Sequence, residues 1–185
     1  MRCVALVCAL LVVLSACTTP QPERTFDPPP TVLYLLRHAE TGEASDDPQL
    51  SDEGRARAEA LAALLADRRI TAVYASQFAR TQETVQPLAD TLGLDVIVRP
   101  LDTSDPRASA AATIREIAAA HFPYQVVVVG HSNTIPAMIE ALTDTPMDDL
   151  AHDTYGDLFV ATITEHPDQR TPDDVTIEHQ RFGEP

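Results

Sequence analysis

Lysine and tryptophan are both absent from this 185-residue chain, and cysteine is nearly so. All 13 basic residues are arginine, against 28 acidic residues, which leaves a formal charge of −15 at pH 7. So acidic a surface repels polyanions and argues against nucleic acid as a partner. It also makes a local cluster of arginines informative, because the background opposes it. The missing lysine fits a GC-rich genome or a salt-adapted host, and no function is attached to it. The 3 cysteines are Cys3, Cys8 and Cys17. If the apolar leader that holds the first two is removed, only Cys17 remains. Neither an intramolecular disulfide nor a cysteine-based zinc site is then available, and stability must come from the core. The hydrophobic fraction, 44%, suits one soluble globular domain.

Long apolar runs are also missing. The longest, Val4 to Leu14 after Arg2, is too short for a membrane span and has the layout of a secretory signal. It ends in Leu14-Ser15-Ala16-Cys17, which resembles the cleavage box of bacterial lipoproteins. That resemblance implies a signal peptide over 1–16 and lipidation of Cys17, with an ordinary signal peptide as the alternative. Residues 17–30 then form a tether. From Thr18 on it holds Pro20, Pro22, Pro28, Pro29 and Pro30 among polar residues, a composition that cannot pack and that reaches roughly 40 Å when semi-extended. The expected location is the bacterial cell envelope, lipid-anchored, with the outer membrane or the periplasmic face favoured because Thr18 rather than aspartate follows the cysteine. The membrane is therefore one expected partner. The sequence carries no signal for an oligomeric state.

Residues 31–185 read as one α/β domain. Thr31 to Leu36 and Tyr124 to Val129 are short apolar runs of the kind that form fully buried strands. Ile70 to Tyr74 and Asp95 to Arg99 read as shorter strands, and Leu158 to Ile163 and Val175 to His179 as two late ones. Helices are expected over Ser51 to Arg69, with Ser51 as N-cap, over Ala79 to Leu92 closed by Gly93, over Ser109 to His121, and from about Thr134 to Leu142. Strands alternating with helices predict a three-layer α/β/α sandwich with a mainly parallel sheet. The last two strands lack a helix between them and predict an antiparallel edge.

In such a sheet the carboxyl ends of the strands converge, and ligands bind there. The first strand ends on Arg37-His38. The second is followed by Ser76 to Thr81, which carries Arg80. The fourth ends on Gly130-His131-Ser132-Asn133, just before a helix. Two guanidiniums, planar forks of fixed donors that match a phosphate, would thus meet two imidazoles. A helix start adds oriented N–H groups. Imidazole is a competent nucleophile at neutral pH. Together these parts suit phosphoryl transfer to histidine and hydrolysis of the phosphohistidine, with arginines neutralising the transferring group and neither metal nor cofactor required.

Arg37-His38-Ala39-Glu40-Thr41 resembles the Arg-His-Gly-Glu motif of the histidine phosphatase superfamily, the phosphoglycerate mutase-like proteins. Three further segments agree in order and spacing: Asp47 to Ala56, Ser76 to Thr84 around Arg80, and Val129 to Pro136 around His131. The resemblance implies His38 as the phosphate-accepting nucleophile, Arg37 and Arg80 as phosphoryl ligands, and His131 as the second catalytic histidine, which also binds phosphate. Glu40, Thr41, Gly42 and Ser132 are candidate pocket residues. Ala39 replaces the usual glycine. The small phosphohistidine-phosphatase branch is the nearest in size.

The general acid is the unfamiliar part. Where many members of the family carry a glutamate, this chain has Pro100 to Arg107. Asp102 and Asp105 are candidate acids, with solvated loop aspartates as the alternative. A site without a strong acid suits good leaving groups such as phosphohistidine or acyl phosphate. The expectation is thus a phosphatase acting on a small phosphorylated substrate. The alternatives are a phosphate-binding envelope lipoprotein with little turnover and, further off, a phosphoglycerate-type mutase. His121, His152, His166 and His179 read as structural residues.

Overall fold

The computed structural model describes residues 28–166, 171 and 174–183. The signal peptide, Cys17 and most of the tether lie outside the described residues. Among those described, no helix is long and apolar enough to cross a membrane. The elements run β1 (Thr31–Arg37), α1 (Asp52–Leu65), β2 (Ile70–Ala75), α2 (Ala79–Leu92), β3 (Val96–Val98), α3 (Pro106–Ala120), β4 (Gln125–Gly130), α4 (Thr134–Thr143), β5 (Asp157–Ile163) and β6 (Val175–Arg181). One sheet joins all 6 strands in the order β3-β2-β4-β1-β5-β6. The first four strands are parallel, while β5 is antiparallel to both β1 and β6.

Alternation along the strands builds the two helical layers. Leu33 and Leu35 of β1, with Val126 and Val128 of β4, face Ile114, Ile117, Ile135 and Leu142 of α3 and α4. Tyr34 and Leu36, with Val127 and Val129, face Leu61, Leu65, Val85 and Leu88 of α1 and α2. Both faces of the central strands are covered, which is why their sequences are near-continuous apolar runs. The sandwich expected from the alternation of elements is the one observed.

Local chemistry sets the helix boundaries. The Ser51 side chain accepts the Gly54 N–H, so the helix begins one residue later than the reading that included Ser51, and it ends at Leu65, before Arg68 and Arg69. Gly54 is required by close approach, since a Cβ there would lie 2.1 Å from the Glu40 carbonyl oxygen. Helix α3 starts three residues before the expected Ser109. Asp105 accepts the Ala108 N–H, and Pro106 occupies the first turn, where its missing N–H costs nothing.

Candidate active site

Register brings the two strand-end histidines together. Arg37 pairs with Gly130 across the β1–β4 ladder, and the His38 N–H donates to the Gly130 carbonyl at 2.9 Å. The residues after each strand are therefore neighbours, and the rings of His38 and His131 stand edge-on with centroids 5.4 Å apart. Gly130 allows the tight exit from β4, because a Cβ there would meet the Thr134 hydroxyl at 2.7 Å. That hydroxyl accepts the His131 N–H at 2.8 Å and opens α4.

The hydrogen bonds decide the tautomers. His38 Nδ1 lies 2.7 Å from the Ala39 carbonyl, which can only accept, so Nδ1 carries the proton and Nε2 keeps its lone pair. At His131 the order is reversed. An Arg80 Nη2 points at Nδ1 from 3.5 Å, so the Nε2–H donates to Ser76 Oγ at 3.0 Å. The Ser76 hydroxyl is 2.9 Å from Thr81 Oγ1, which donates to the Phe78 carbonyl at 2.8 Å. This relay holds the second imidazole still.

Both imidazoles are buried, His38 to 7% and His131 to 9% exposure. Burial is the main cause that pushes His38 down to about 4, with Arg37 and Arg80 adding to it against the Ala39 hydrogen bond. Burial, then the neighbouring His38, Arg80 and Arg37, push His131 down to about 3. Both rings are neutral at neutral pH.

The two arginines are held differently. Arg37 is 8% exposed, and its Nη1 donates to the carbonyls of Ala151, His152 and Thr154 at 2.9–3.0 Å. Its Nη2 donates to the Tyr155 hydroxyl at 3.3 Å, and the guanidinium carbon stands 4.2 Å from the centre of the Tyr155 ring. Arg37 Nε is buried with no partner. Arg80 leaves the first turn of α2, lies over the Phe78 ring at 4.4 Å, and keeps one Nη 3.6 Å from Asp47. Asp47 also accepts the Ala79 N–H at 3.0 Å, capping α2 from a distant segment, where the N-cap residue Phe78 supplies no side-chain bond.

These groups open onto a cavity of about 560 Å3 that Arg37, His38, Arg80 and His131 line together. Thr41 and Ser132 line it too, while Glu40 and Gly42 do not. The Glu40 carboxylate instead binds Arg57 through both oxygens, at 2.6–3.1 Å, and Arg57 reaches on to the carbonyls of Phe182 and Gly183. Burial raises the Glu40 carboxyl, but the Arg57 hydrogen bond and charge outweigh it and hold the group low. Glu40, expected as a pocket residue, instead ties the strand end through Arg57 to Phe182 and Gly183 and stands outside the cavity lining. Gly42 uses its N–H on the Gln49 carbonyl at 2.9 Å.

The two candidate acids also lie away from the cavity. Asp102 is exposed, and the Ser104 hydroxyl, then the Ser104 N–H, hold its carboxyl low, the wrong direction for a proton donor. Asp105 is the α3 cap. Neither lines the cavity; Leu101, Thr103 and Pro106 do so from that loop. Sequence reading missed Tyr155 and gave Asp47, Ser76 and His152 no role in the site. The loop 151–155 contributes through carbonyl groups, which no side-chain pattern reveals. Among the described residues, no group of three or more potential metal-binding side chains is gathered.

The comparisons with known proteins fit this geometry. The family model "Histidine phosphatase superfamily (branch 1)" matches residues 33–101, a stretch that includes Arg37, His38 and Arg80 but not His131. An 8-oxo-(d)GTP phosphatase of Mycolicibacterium smegmatis is 36% identical over 118 residues, which cover 60% of this chain. The match spans only 36% of that relative's length. A structure from Nakamurella multipartitia assigned as a phosphohistidine phosphatase SixA is 26% identical, has a TM-score of 0.60, and covers 86% of this chain and 99% of its own. A mycobacterial glucosyl-3-phosphoglycerate phosphatase shares the fold at a TM-score of 0.61 and 19% identity, over 82% of this chain and 98% of its own. Over residues 33–101 this chain is thus similar to the histidine phosphatase superfamily, and its fold is shared with solved phosphatases.

Proposed function

We propose that this chain is a phosphatase working through a covalent phosphohistidine on His38, without a metal. The observation that carries the reading is the fixed His38 tautomer: Nδ1 is committed to the Ala39 carbonyl, and Nε2 is free beside two guanidiniums and a second imidazole. In the first step the Nε2 lone pair forms a bond to phosphorus as the bond from phosphorus to the leaving group breaks. Arg37 and Arg80 take up charge on the phosphoryl oxygens. The Nδ1–H to Ala39 bond stabilises the positive charge that develops on the ring. In the second step water attacks phosphorus, the N–P bond breaks, and neutral His38 returns. A bound dianion sets negative charge against His131 and favours uptake of a solvent proton at Nδ1, which then donates to the phosphoryl group.

Asp149 is the cavity-lining carboxylate among the described residues, and Arg107 engages it. The site therefore suits leaving groups that depart as weak bases, as phosphohistidine and acyl phosphate do. The relatives named as phosphatases of a nucleotide, a phosphohistidine and a sugar phosphoglycerate support the class of reaction rather than one substrate. The test is release of nitrophenol from p-nitrophenyl phosphate, with acid-labile phosphate trapped on His38 in a rapid quench. Release by His38→Ala equal to that of wild type would overturn the reading.

We also infer export and lipid anchoring through Cys17, from the Leu14-Ser15-Ala16-Cys17 box and the proline-rich tether. Mass spectrometry of membrane-extracted protein is expected to find diacylglyceryl on Cys17. A soluble product starting elsewhere would reject it.

A further inference from the structure

The charges around the cavity are unevenly placed. The guanidiniums among its described lining residues, Arg37 and Arg80, both belong to the phosphoryl end. The walls beyond them include Pro48, Leu101 and Pro106, which are apolar, and Thr103 and Asn133, which are uncharged. The lining carboxylate is Asp149.

Asp149 is not an isolated loop residue. Its partner Arg107 spends its other Nη on Glu140 at 2.7 Å, so one positive charge meets two negative ones. Arg107 also donates to the Asn133 carbonyl at 3.2 Å, and Glu140 accepts the Met147 N–H at 2.8 Å. The Leu150 N–H reaches the Ser132 carbonyl at 2.9 Å. The segment around Asp149 is thus stitched to α4 through Met147 and to the loop that carries His131 through Leu150, which holds Asp149 at the cavity wall in a cluster where two carboxylates share one guanidinium.

With a phosphoryl group between the arginines, a leaving group would occupy this part of the cavity. A leaving group with its own phosphates would meet no lining guanidinium there, and it would face Asp149 on a chain whose overall charge is −15. We propose that the cavity selects phosphoryl donors whose leaving group carries no further negative charge, and that Asp149 is a specificity-determining residue against polyanionic ones. This rests on the phosphatase reading above. It predicts a preference for monophosphorylated compounds, such as esters of neutral aromatic or sugar alcohols, over nucleoside triphosphates.

The experiment compares p-nitrophenyl phosphate with dGTP, using the purified full chain. Both leaving groups depart as weak bases, so charge rather than leaving ability separates them. At low ionic strength kcat/KM is expected to favour the nitrophenyl ester by roughly tenfold or more. The ratio should shrink several-fold as NaCl rises to about 0.5 M, because screening removes a repulsion but not a steric clash. Asp149→Asn should narrow the ratio by roughly threefold, and Asp149→Glu should restore it. The Asp149 side chain is 57% exposed, so these changes alter charge at a surface position, and the salt series on wild type stands independently of them. Equal efficiency on the two substrates, or a ratio indifferent to both salt and Asp149→Asn, overturns the inference while leaving the phosphatase reading intact. Absence of any His38-dependent release removes that reading and this inference with it.

Discussion

At the residue scale, the site is governed by the price of burying charge. Two imidazoles packed beside two guanidiniums cannot afford protons, and burial alone already disfavours them. His38 and His131 are therefore expected to stay neutral at pH 5, where an ordinary histidine is largely protonated; imidazole carbon shifts by NMR check this. Saturating inorganic phosphate should move the His131 titration upward, because the bound anion replaces a positive neighbourhood with a negative one. Tyr155 offers a second test. Its ring covers Arg37 and its hydroxyl accepts Nη2–H, so Tyr155→Phe keeps the stack and loses one hydrogen bond to a charged group. That loss should lower kcat/KM for p-nitrophenyl phosphate about tenfold and weaken inhibition by orthovanadate in step, with little change in thermal stability. A change in Tm without a change in vanadate affinity would make Tyr155 merely structural.

At the element scale, the placement of Arg80 depends on how α2 begins. Phe78 supplies no side-chain cap, and Asp47, thirty-two residues before the Ala79 whose N–H it accepts, does so instead. The same carboxylate faces the Arg80 guanidinium, so one residue both starts the helix and steadies its cation. Asp47→Ala is expected to cost about 1 kcal/mol in urea unfolding and to raise KM more than it lowers kcat. An unchanged KM would separate the cap from the site. This cap was not legible in the sequence, because capping patterns are sought within a few residues of a helix start and this one arrives through a tertiary loop. Ser51 and Asp105, both local caps, lie three residues from the N–H groups they accept. Ser51 was legible as a cap. Asp105 was not, because the alanine-rich run drew the expected start to Ser109 and left the aspartate open to reading as an acid.

At the scale of the whole molecule, the buried histidines couple the site to stability. Their folded pKa values of about 4 and about 3 lie below the ordinary 6.5, so the unfolded chain binds more protons as pH falls below 6.5. Stability from these groups is complete above pH 6.5 and is lost progressively as pH drops toward 4 and then 3, each contributing roughly 3 kcal/mol or more. Urea unfolding of wild type should therefore weaken steeply across that window, and His131→Ala should flatten the slope. An equal slope in the variant would show that the ring is not buried neutral.

The sequence by itself determined the layers, the mostly parallel sheet and the four side chains that meet at its edge. Each of these follows from information local in the chain: apolar runs mark buried strands, and strand ends mark where polar groups emerge. Tertiary structure alone decided the rest. Which imidazole nitrogen is free depends on a carbonyl and a guanidinium brought from elsewhere. Glu40 follows the histidine in the motif yet turns to Arg57, because the Gly54 backbone packs against its carbonyl and α1 brings that arginine within reach. Asp102 and Asp105 had the right residue type in the right loop, but local hydrogen bonds claimed both. Tyr155 and Asp149 entered from a segment with no periodic signal, placed by backbone carbonyls and ion pairs that exist only once α3, α4 and the sheet have packed.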